Sequence, residues 1–391
     1  MILFKNYLFV VMSLCSVLSY AQVDLPNDIT FGIVDLKFDG KQVKICEMGE
    51  GLYSGFEGHR RIYGKDIIWA LLCEKLAQLH PSLYFYSGKY EHKPLSIALL
   101  KRANNLLYPV FHYKDDVLNF FKKNYSSGLS NNKKLVDYKG IFLYRKLKDF
   151  VSHISSYTDE FIIVSKFSRC IFPHKCLTQR YIFAEDAVLS LFRPKAKVYP
   201  AIYSKDLAMQ IKHDLDCEYF VLKPEIGCQG AGIIFTDAKK LDSDLRRMFG
   251  NESSYCTHAK NAYSYWRSKK QQRFIAEEFV SSKSIMVDGC TYDPTMRVCF
   301  LAYCENQHIS IDIFAAYWKL PVMSLEKNGT FEDKHRSCIY SKQKNVSAAV
   351  EQGDFSEVVK QLGIALPRIY KNLLTACVTF NIKEGVWNEN E

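Results

Sequence analysis

The stretch YFVLKPEIGCQGAGIIFT, residues 219–236, carries a lysine at the end of one apolar run and three glycines before a second such run. Both runs are rich in aromatic and β-branched residues, which predicts two β-strands. Glycine-rich turns in several folds bind phosphate through backbone amides. The pattern predicts two antiparallel strands joined by a glycine loop, with Lys223 close to where phosphate oxygens would lie.

Two common phosphate-binding loops do not fit this stretch. A P-loop requires a lysine after its last glycine, whereas Gly232 is followed by Ile233. A dinucleotide-binding turn requires Gly-x-Gly-x-x-Gly opening a helix, whereas the spacing here is Gly-x-x-Gly-x-Gly before strand-forming residues. A hairpin whose glycines serve only a tight turn remains the alternative interpretation.

Residues 223–233, KPEIGCQGAGI, resemble a motif of the ATP-grasp superfamily, and within it of the tubulin-tyrosine-ligase-like enzymes. The resemblance implies that Lys223 contacts nucleotide phosphates and that backbone amides of the loop close over them. Ala231 stands where those enzymes carry arginine, so no contact of that arginine is expected here. The loop residues expected to bind the nucleotide are Gly227, Cys228, Gln229, Gly230 and Gly232.

Residues 274–282, FIAEEFVSS, resemble the strand that ends in the adenine-binding hinge of this family. The resemblance implies that the backbone at Glu277, Glu278, Phe279 and Val280 faces the adenine edge. The hinge is therefore predicted at the end of a strand that follows the glycine loop in the chain.

Two further cations are predicted to meet the phosphates. Arg297 aligns with the family's arginine that contacts the triphosphate or acyl-phosphate, although Thr295 replaces the usual aspartate and Asp293 lies two residues earlier. Lys319 takes the place of a basic residue that ends the returning strand. Cations from separate strands neutralise a phosphoryl group in transfer. A surface ion pair for Arg297 and an exposed strand end for Lys319 remain the alternatives.

The resemblance implies ATP and Mg²⁺ as cofactors, but it assigns no metal ligand. ATP-grasp enzymes usually hold Mg²⁺ with a late Glu-x-Asn, whereas Glu389 and Asn390 are adjacent, so either a fragment or a degenerate metal site is expected. Asp293 and Asp312 are interpreted as a turn residue and a strand-face residue. Apart from the metal, His335 and Arg336 stand where the resembling ligases carry a loop near the phosphates, and the resemblance implies that position for them.

Composition sets broad limits on the chain. Its 391 residues are 48% hydrophobic and 24% charged, and the formal net charge is +10, which suits a protein that handles anionic ligands. Basic residues form no extended patch in the sequence, so nucleic acid is not an expected partner. Thirteen cysteines become an even twelve without Cys15, and twelve could pair in an oxidising compartment. No Cys-x-x-Cys occurs, so a structural zinc site is not expected.

The amino terminus predicts export. Residues 1–21 place Lys5 before an apolar run and a small-x-small pattern ending at Ala21, which is typical of a cleaved signal peptide. The predicted location is secreted or periplasmic, or cytoplasmic if the run is not a signal. An uncleaved anchor and a chance apolar terminus remain alternatives. No later segment predicts a membrane span, so no stable membrane insertion is expected after signal removal.

Alternating runs predict an α/β (α+β) fold in two parts: an α/β domain over residues 22–195 and an ATP-grasp domain over residues 196–391. Pro194 and Pro200 mark the boundary. Predicted strands cover 29–38, 42–49, 161–172, 219–224, 233–236, 273–282, 296–304 and 309–320, and predicted helices cover 66–79, 92–107, 204–215 and 355–378. Ser204 is predicted to cap the third helix, and residues 49–65 are predicted to form a loop. The last helix is predicted to be interrupted near Gly363 and Pro367.

These observations predict an ATP-dependent carboxylate–amine ligase that works through an acyl-phosphate. Lys223, Arg297 and Lys319 are its expected catalytic residues, stabilising charge on the transferred phosphoryl group. The expected partners are a carboxylate and an amine substrate, such as an amino acid and a peptide or protein tail. The alternatives are a nucleotide-binding protein without catalysis and an exported effector or interaction protein.

Overall fold

The computed structural model describes residues 24–51, 57–64, 67–79, 85–86, 110–111, 140–142, 161–184, 186–227, 230–250, 262–268, 271–337 and 347–380. These residues form a mixed helix and strand fold whose larger sheets are antiparallel, which confirms the expected class. The predicted signal peptide and the carboxyl-terminal Glu389 and Asn390 lie outside the described residues.

The strands of the described ranges are numbered in chain order. They are β1 (Asp28–Phe38), β2 (Val43–Glu50), β3 (Phe85–Tyr86), β4 (Val110–Phe111), β5 (Gly140–Phe142), β6 (Phe161–Ile163), β7 (Ala196–Pro200), β8 (Tyr219–Pro224), β9 (Ile234–Asp237), β10 (Arg273–Glu278), β11 (Ile285–Val287), β12 (Cys290–Tyr292), β13 (Thr295–Glu305), β14 (His308–Lys319) and β15 (Ser347–Ala348).

The helices of the same ranges follow the same convention. They are α1 (Glu57–Tyr63), α2 (Ile67–Leu79), α3 (Ser168–Ile171), α4 (Lys175–Leu177), α5 (Ala187–Leu191), α6 (Leu207–Leu215), α7 (Leu241–Phe249), α8 (Ala262–Ser268), α9 (Phe331–His335) and α10 (Gln352–Thr379), and a π-helical turn covers Thr178–Phe183.

A five-stranded sheet in the order β15-β14-β13-β1-β2 forms the larger layer. Its strands β1 and β2 come from the amino-terminal part of the chain, yet β1 pairs antiparallel with β13 over its length. Helix α10 packs on one face through Leu362, Leu366, Ile369 and Leu373, whose three-and-four spacing makes one apolar stripe. This sheet therefore joins residues from both predicted domains, and the predicted boundary itself stays a prediction.

A four-stranded sheet in the order β7-β10-β8-β9 forms the second layer. Helices α6 and α7 share its hydrophobic core, which includes Phe220, Phe274 and Leu245. Pro200 ends β7, which is an edge strand, and an edge strand tolerates a residue without an amide hydrogen. The glycine loop between β8 and β9 projects from this sheet.

Several predictions about individual helices and strands are wrong. Helix α1 lies inside the stretch 49–65 that was expected to be a loop, and the predicted strand 161–172 is the short β6 followed by α3. Helix α6 is confirmed, but its N-cap is Asp206 rather than Ser204. Helix α10 continues through Pro367, because its buried stripe compensates for the one hydrogen bond that proline removes. The predicted helix 92–107 lies outside the described residues.

The described residues contain no candidate membrane span and no disulfide among the eight cysteines named below. Within the described ranges, no helix is long and apolar enough to cross a membrane. Eight cysteines described there are free thiols, so the pairing that their number allowed is not present among them: Cys46, Cys170, Cys176, Cys217, Cys290, Cys299, Cys304 and Cys377.

Candidate functional site

The predicted hairpin around the glycine loop is confirmed. Strands β8 and β9 pair antiparallel up to Leu222 and Ile234, and the loop (residues 225–233) connects them. Gly230 and Gly232 have φ angles of +73° and +74°, in the left-handed region that glycine adopts without strain. A Cβ on Gly232 would lie 2.5 Å from Tyr265 Cδ1, so this position also requires the absence of a side chain. Cys228 and Gln229 lie outside the described residues.

Lys223 lies at the end of β8, where the sequence predicted it, and its side chain is buried. Its Nζ donates to Glu277 Oε2 at 2.5 Å and to the carbonyl oxygen of Cys46 at 2.9 Å. Arg193 Nη2 donates to the other oxygen of the same carboxylate, Glu277 Oε1, at 2.8 Å. A buried carboxylate thus holds two buried cations, and one of them also contacts strand β2.

The charge state of Lys223 follows from these contacts. Burial by itself lowers the pKa of a lysine, because the ammonium loses hydration. The adjacent Glu277 carboxylate outweighs burial, and the pKa of Lys223 is raised above its ordinary value. Lys223 is therefore an ammonium ion at neutral pH, available to an anionic ligand that competes with Glu277.

A second charged cluster lies on the five-stranded sheet. Arg297 Nε and Nη2 donate to Asp35 Oδ1 and Oδ2, both at 2.7 Å, in a bidentate pair. Lys319 Nζ donates to Asp35 Oδ2 at 2.7 Å. All three side chains are less than a tenth exposed, so Arg297 is not in a surface ion pair and Lys319 is not an exposed strand end.

Electrostatics in this cluster favour the ionised forms of Asp35 and Arg297 but not that of Lys319. Burial raises the pKa of Asp35, but Arg297 and Lys319 outweigh it and leave that pKa below its usual range. Burial lowers the pKa of Arg297, but the Asp35 carboxylate raises it by more. The net pKa of Arg297 is above its ordinary value, and the guanidinium stays charged. Burial and the neighbouring guanidinium together lower the pKa of Lys319. A single carboxylate therefore neutralises two cations.

Strand β2 connects the two clusters. Its residue Glu47 is the register partner of Asp35, and the preceding Cys46 supplies the carbonyl that accepts from Lys223. The Glu47 side chain is 37% exposed, and its Oε1 lies 3.2 Å from Lys175 Nζ. The cations predicted from sequence, Lys223, Arg297 and Lys319, thus converge on an amino-terminal hairpin.

The sequence analysis did not identify Asp35 and Glu47 as site residues. Both are acidic residues within strands of β-branched and apolar residues, and this was the available sequence indication. Neither residue lies near the glycine motif in the chain, and the pairing of Asp35 with Arg297 and Lys319 joins residues 262 and 284 positions apart. Only the strand pairing of β1 with β13 brings them to the site.

The predicted hinge lies beside the site, at the end of β10. The Glu277 carboxylate points into the Lys223 cluster, and Glu278 Oε1 accepts from the backbone amide of Lys195 at 2.8 Å. The Phe279 amide donates to the Tyr219 carbonyl at 2.9 Å. Val280 is half-buried. An adenine role for these backbone groups stays a prediction.

Helix α9 packs an aromatic cluster against this hinge. The Phe331 ring stacks on Tyr219, with centroids 5.4 Å apart, and lies 4.9 Å from the Phe279 ring. Arg336 Nη1 lies 3.5 Å from the carbonyl oxygen of Gly230. The carboxyl end of helix α9 therefore brings Arg336 to the glycine loop, whereas a role of His335 and Arg336 near phosphates stays a prediction.

The remaining acidic candidates have structural partners. Asp293 lies in the connection between β12 and β13, and its Oδ2 is 3.0 Å from Lys37 Nζ and 2.6 Å from His335 Nδ1, so it is also a buried ion-pair residue. Burial raises its pKa, but the hydrogen bond with His335 and the charge of Lys37 bring it below the ordinary value. Asp312 lies on a strand face 3.4 Å from Lys75 Nζ.

A magnesium ion would depend on few protein ligands here. Among the described residues, no group of three or more His, Cys, Asp or Glu side chains is arranged to hold a metal. Mg²⁺ bound with phosphates typically uses one or two carboxylates, and the phosphates and water complete its octahedron. Asp35 and Glu47, opposed on neighbouring strands, are hard oxygen donors that fit this requirement.

The comparisons with known proteins give distant likenesses. No family model and no curated protein matches the sequence. A protein assigned provisionally as a gamma-glutamylcysteine synthetase, from Methylobacillus flagellatus KT, is 9% identical with a TM-score of 0.39, covering 90% of this chain and 89% of that one.

Two further solved structures are similar at the same level. D-cycloserine synthetase is 12% identical with a TM-score of 0.33, covering 74% of this chain and 82% of that one. D-alanyl-alanine synthetase A from Vibrio cholerae O1 is 10% identical with a TM-score of 0.33, covering 75% and 80%.

Proposed function

We propose that this protein is an ATP-dependent carboxylate–amine ligase of the ATP-grasp type. The observation that carries the proposal is the convergence of Lys223, Arg297 and Lys319 on one acidic hairpin beside a glycine loop. Buried charges are costly, and a protein that needs only stability replaces them readily with apolar residues. A cluster of buried cations next to a phosphate-type loop favours a polyanionic ligand.

Binding of the triphosphate would exchange partners within the site. Lys223, Arg297 and Lys319 are each paired with a carboxylate in the described structure, and phosphate oxygens would take over part of that pairing. The glycine loop would supply backbone amides to the same oxygens. The cations then stabilise the charge that develops on the transferred phosphoryl group.

Asp35 and Glu47 would hold Mg²⁺ in this scheme. When bound, the ion neutralises charge on the β- and γ-phosphates. Glu47 is the more accessible ligand, since its side chain is 37% exposed whereas Asp35 has both oxygens engaged by Arg297 and Lys319. Asp35 would bind the ion only after release from Lys319.

The proposed reaction has two displacement steps. A carboxylate oxygen of one substrate bonds to the γ-phosphorus, the bond from that phosphorus to the β-bridging oxygen breaks, and ADP leaves. The amine nitrogen of the second substrate then bonds to the acyl carbon, and the carbon–oxygen bond to phosphate breaks. Inorganic phosphate leaves with the electron pair, and the amine loses its proton to solvent or phosphate. The substrates proposed are an amino acid and an amine on an amino acid, a peptide or a protein tail.

A non-catalytic nucleotide-binding protein is the second candidate. The complete engagement of Asp35 by two cations favours it, because this carboxylate must be released before it can bind a metal. Thr295, at the position where the resembling enzymes carry aspartate, supports the same candidate. Membership of the tubulin-tyrosine-ligase-like family stays a prediction.

A coupled assay for ADP and phosphate release distinguishes the two candidates. The protein is supplied with Mg-ATP and pools of amino acids, with Arg297→Met as the inactive comparison and Lys212→Ala as a control at an exposed lysine. A ligase releases both products only when carboxylate and amine substrates are present together. ATP binding without product release in any pool would favour the non-catalytic candidate.

A further inference from the structure

Lys175 contacts both the glycine loop and the acidic hairpin, although it belongs to neither. It begins the short helix α4, and the preceding His174 forms an isolated antiparallel bridge with Ile226. The Lys175 amide donates to the Glu225 carbonyl at 2.9 Å. Its backbone therefore runs alongside the first residues of the glycine loop.

The side chain extends this contact across the site. Lys175 Nζ donates to the carbonyl oxygen of Gly227 at 2.6 Å and lies 3.2 Å from Glu47 Oε1. The Lys175 side chain is 10% exposed, so the surrounding residues restrict its position. A single ammonium group thus joins a loop carbonyl to the carboxylate opposite Asp35.

Other contacts hold the described residues of the glycine loop from different sides: the Ile226 amide donates to Gln271 Oε1 at 3.3 Å, and Arg336 Nη1 lies 3.5 Å from the Gly230 carbonyl oxygen. Pairing of β8 with β9 ends at Leu222 and Ile234, and the described backbone between these two residues has no ladder partner on the hairpin. Tyr265 Oη donates to the Ile226 carbonyl at 2.5 Å, and Trp266 Nε1 donates to the Gly232 carbonyl at 2.7 Å. These bonds hold the side of the loop that faces α8, whereas Lys175 holds the side that faces β2.

We propose that Lys175 is a positioning residue that fixes the glycine loop relative to Glu47. This role goes beyond the charges that contact the phosphates, and its kinetic consequence rests on the proposed function. A charged donor gives a shorter and stronger hydrogen bond than a neutral one, so the bond from Lys175 Nζ to the Gly227 carbonyl suits a positioning role.

The position of Glu47 agrees with this arrangement. Its Oε1 lies 3.2 Å from Lys175 Nζ, so the ammonium that donates to the Gly227 carbonyl also faces a carboxylate of β2. A cation at Glu47 weakens the ion pair but leaves the bond from Lys175 to the Gly227 carbonyl in place.

The first test measures the loop without nucleotide, so that it does not depend on the enzymatic proposal. Hydrogen–deuterium exchange is followed in peptides that contain Gly227 and Gly232, in wild type, Lys175→Ala, Lys175→Arg and the exposed-lysine control Lys212→Ala. Loss of a charge-assisted hydrogen bond predicts exchange about tenfold faster in Lys175→Ala. Lys175→Arg restores most of the protection, and Lys212→Ala matches wild type.

Exchange elsewhere distinguishes a local effect from unfolding. Peptides from β13, in the other sheet, keep their wild-type exchange rates in Lys175→Ala if only the loop is released. Unchanged exchange in the loop peptides of Lys175→Ala would overturn the proposal. Equal acceleration in the loop and β13 would also overturn it, because it would assign Lys175 to general stability.

The second test is kinetic and depends on turnover. Loss of loop positioning predicts a KM for Mg-ATP about tenfold higher in Lys175→Ala, with kcat changed by less than about threefold. Lys175→Arg recovers the wild-type KM. A fall in kcat with unchanged KM would overturn the positioning role. If wild type has no turnover, the proposed function fails while the exchange result still decides the structural role of Lys175.

Discussion

The two faces of the five-stranded sheet are built from the same strands but hold opposite chemistry. Residues at alternate positions, such as Val34, Val298 and Trp318, pack against helix α10 in a continuous apolar core. Their neighbours Asp35 and Arg297, one position along β1 and β13, form buried ion pairs on the other face. Alternation along a strand produces both faces, and a register shift of one residue would exchange them.

The apolar face and the charged face of the sheet differ in how much they stabilise the fold. The apolar face gains free energy from every buried side chain, whereas the charged face repays desolvation only through good geometry. Two carboxylates illustrate the difference. Asp28, beside the neutral Tyr370 hydroxyl, has its pKa raised by burial to about 6, whereas Asp35, held by two cations, has its pKa lowered. The charged face therefore contributes less to the stability of the fold than the apolar face does.

The largest expected effect comes from removing the central carboxylate of the charged face. Asp35→Ala leaves Arg297 and Lys319 buried without their counter-ion, which predicts a loss of about 3–5 kcal/mol in the free energy of unfolding. Urea denaturation measures the loss. Asp312→Ala, which removes a half-exposed partner of Lys75, is the matched control and should cost less than about 1 kcal/mol. Equal losses in both variants would contradict a buried charged cluster.

On the apolar face, Leu366→Ala opens a cavity between α10 and the sheet. The expected loss is about 2–5 kcal/mol in the free energy of unfolding, since Leu366 is fully buried. Nucleotide affinity of the folded protein should stay unchanged, because Leu366 lies across the sheet from the charged face. Ile364→Ala, at a position 51% exposed on the same helix, is the control. Weaker nucleotide binding by Leu366→Ala would contradict this expectation, because it would show that the two faces of the sheet are coupled.

Titration of Asp28, on the apolar face, should make the free energy of unfolding depend on pH. Its pKa of about 6 lies above the ordinary value of 3.8, so the folded state binds the proton more tightly than the unfolded chain. The contribution to stability is full below pH 3.8, falls as pH rises towards 6, and is constant above. The fall amounts to about 3 kcal/mol.

Asp28→Asn removes this titration while keeping an acceptor for Tyr370. The free energy of unfolding is measured from pH 4 to pH 8 in wild type and in the variant. Wild type should lose stability relative to Asp28→Asn between about pH 4 and pH 6, and the difference should then level off. A constant difference over the whole range would show that Asp28 keeps its ordinary pKa.

The smallest expected effect concerns helix α9 beside the site. Thr330 caps this helix, since its side chain accepts from the Asp333 amide and Asp333 accepts from the Thr330 amide. Thr330→Ala should cost about 1 kcal/mol in the free energy of unfolding. Thr330→Ser keeps the cap and is the control, and a loss in both variants would assign the effect to the threonine methyl group.

Local features were predictable from sequence, whereas their assembly was not. The hairpin around the glycine loop, the class of fold and the strands carrying Arg297 and Lys319 follow from residue patterns that act over a few positions. Hydrophobic periodicity contains no information about which strand pairs with which, so the position of β1 beside β13 was not predicted. The acidic residues Asp35 and Glu47 were missed for that reason.

Other misses have local causes. Pro367 was expected to interrupt α10, but packing of a long apolar stripe outweighs one lost hydrogen bond. Helix α1 was read as loop because glycines surround it, yet Gly58 is required there by contact with the Tyr317 ring. In both cases tertiary packing overrides the local preference.

The central claim is that the convergent cations form a nucleotide site, and calorimetry tests it most directly. Mg-ATP is titrated into wild type, Lys223→Met and Lys212→Ala, with circular dichroism confirming that each variant is folded. The account predicts binding by wild type and Lys212→Ala, and affinity at least about tenfold lower in Lys223→Met, since a charged hydrogen bond is lost. Equal affinity of folded Lys223→Met and wild type, or no binding by wild type, would contradict it.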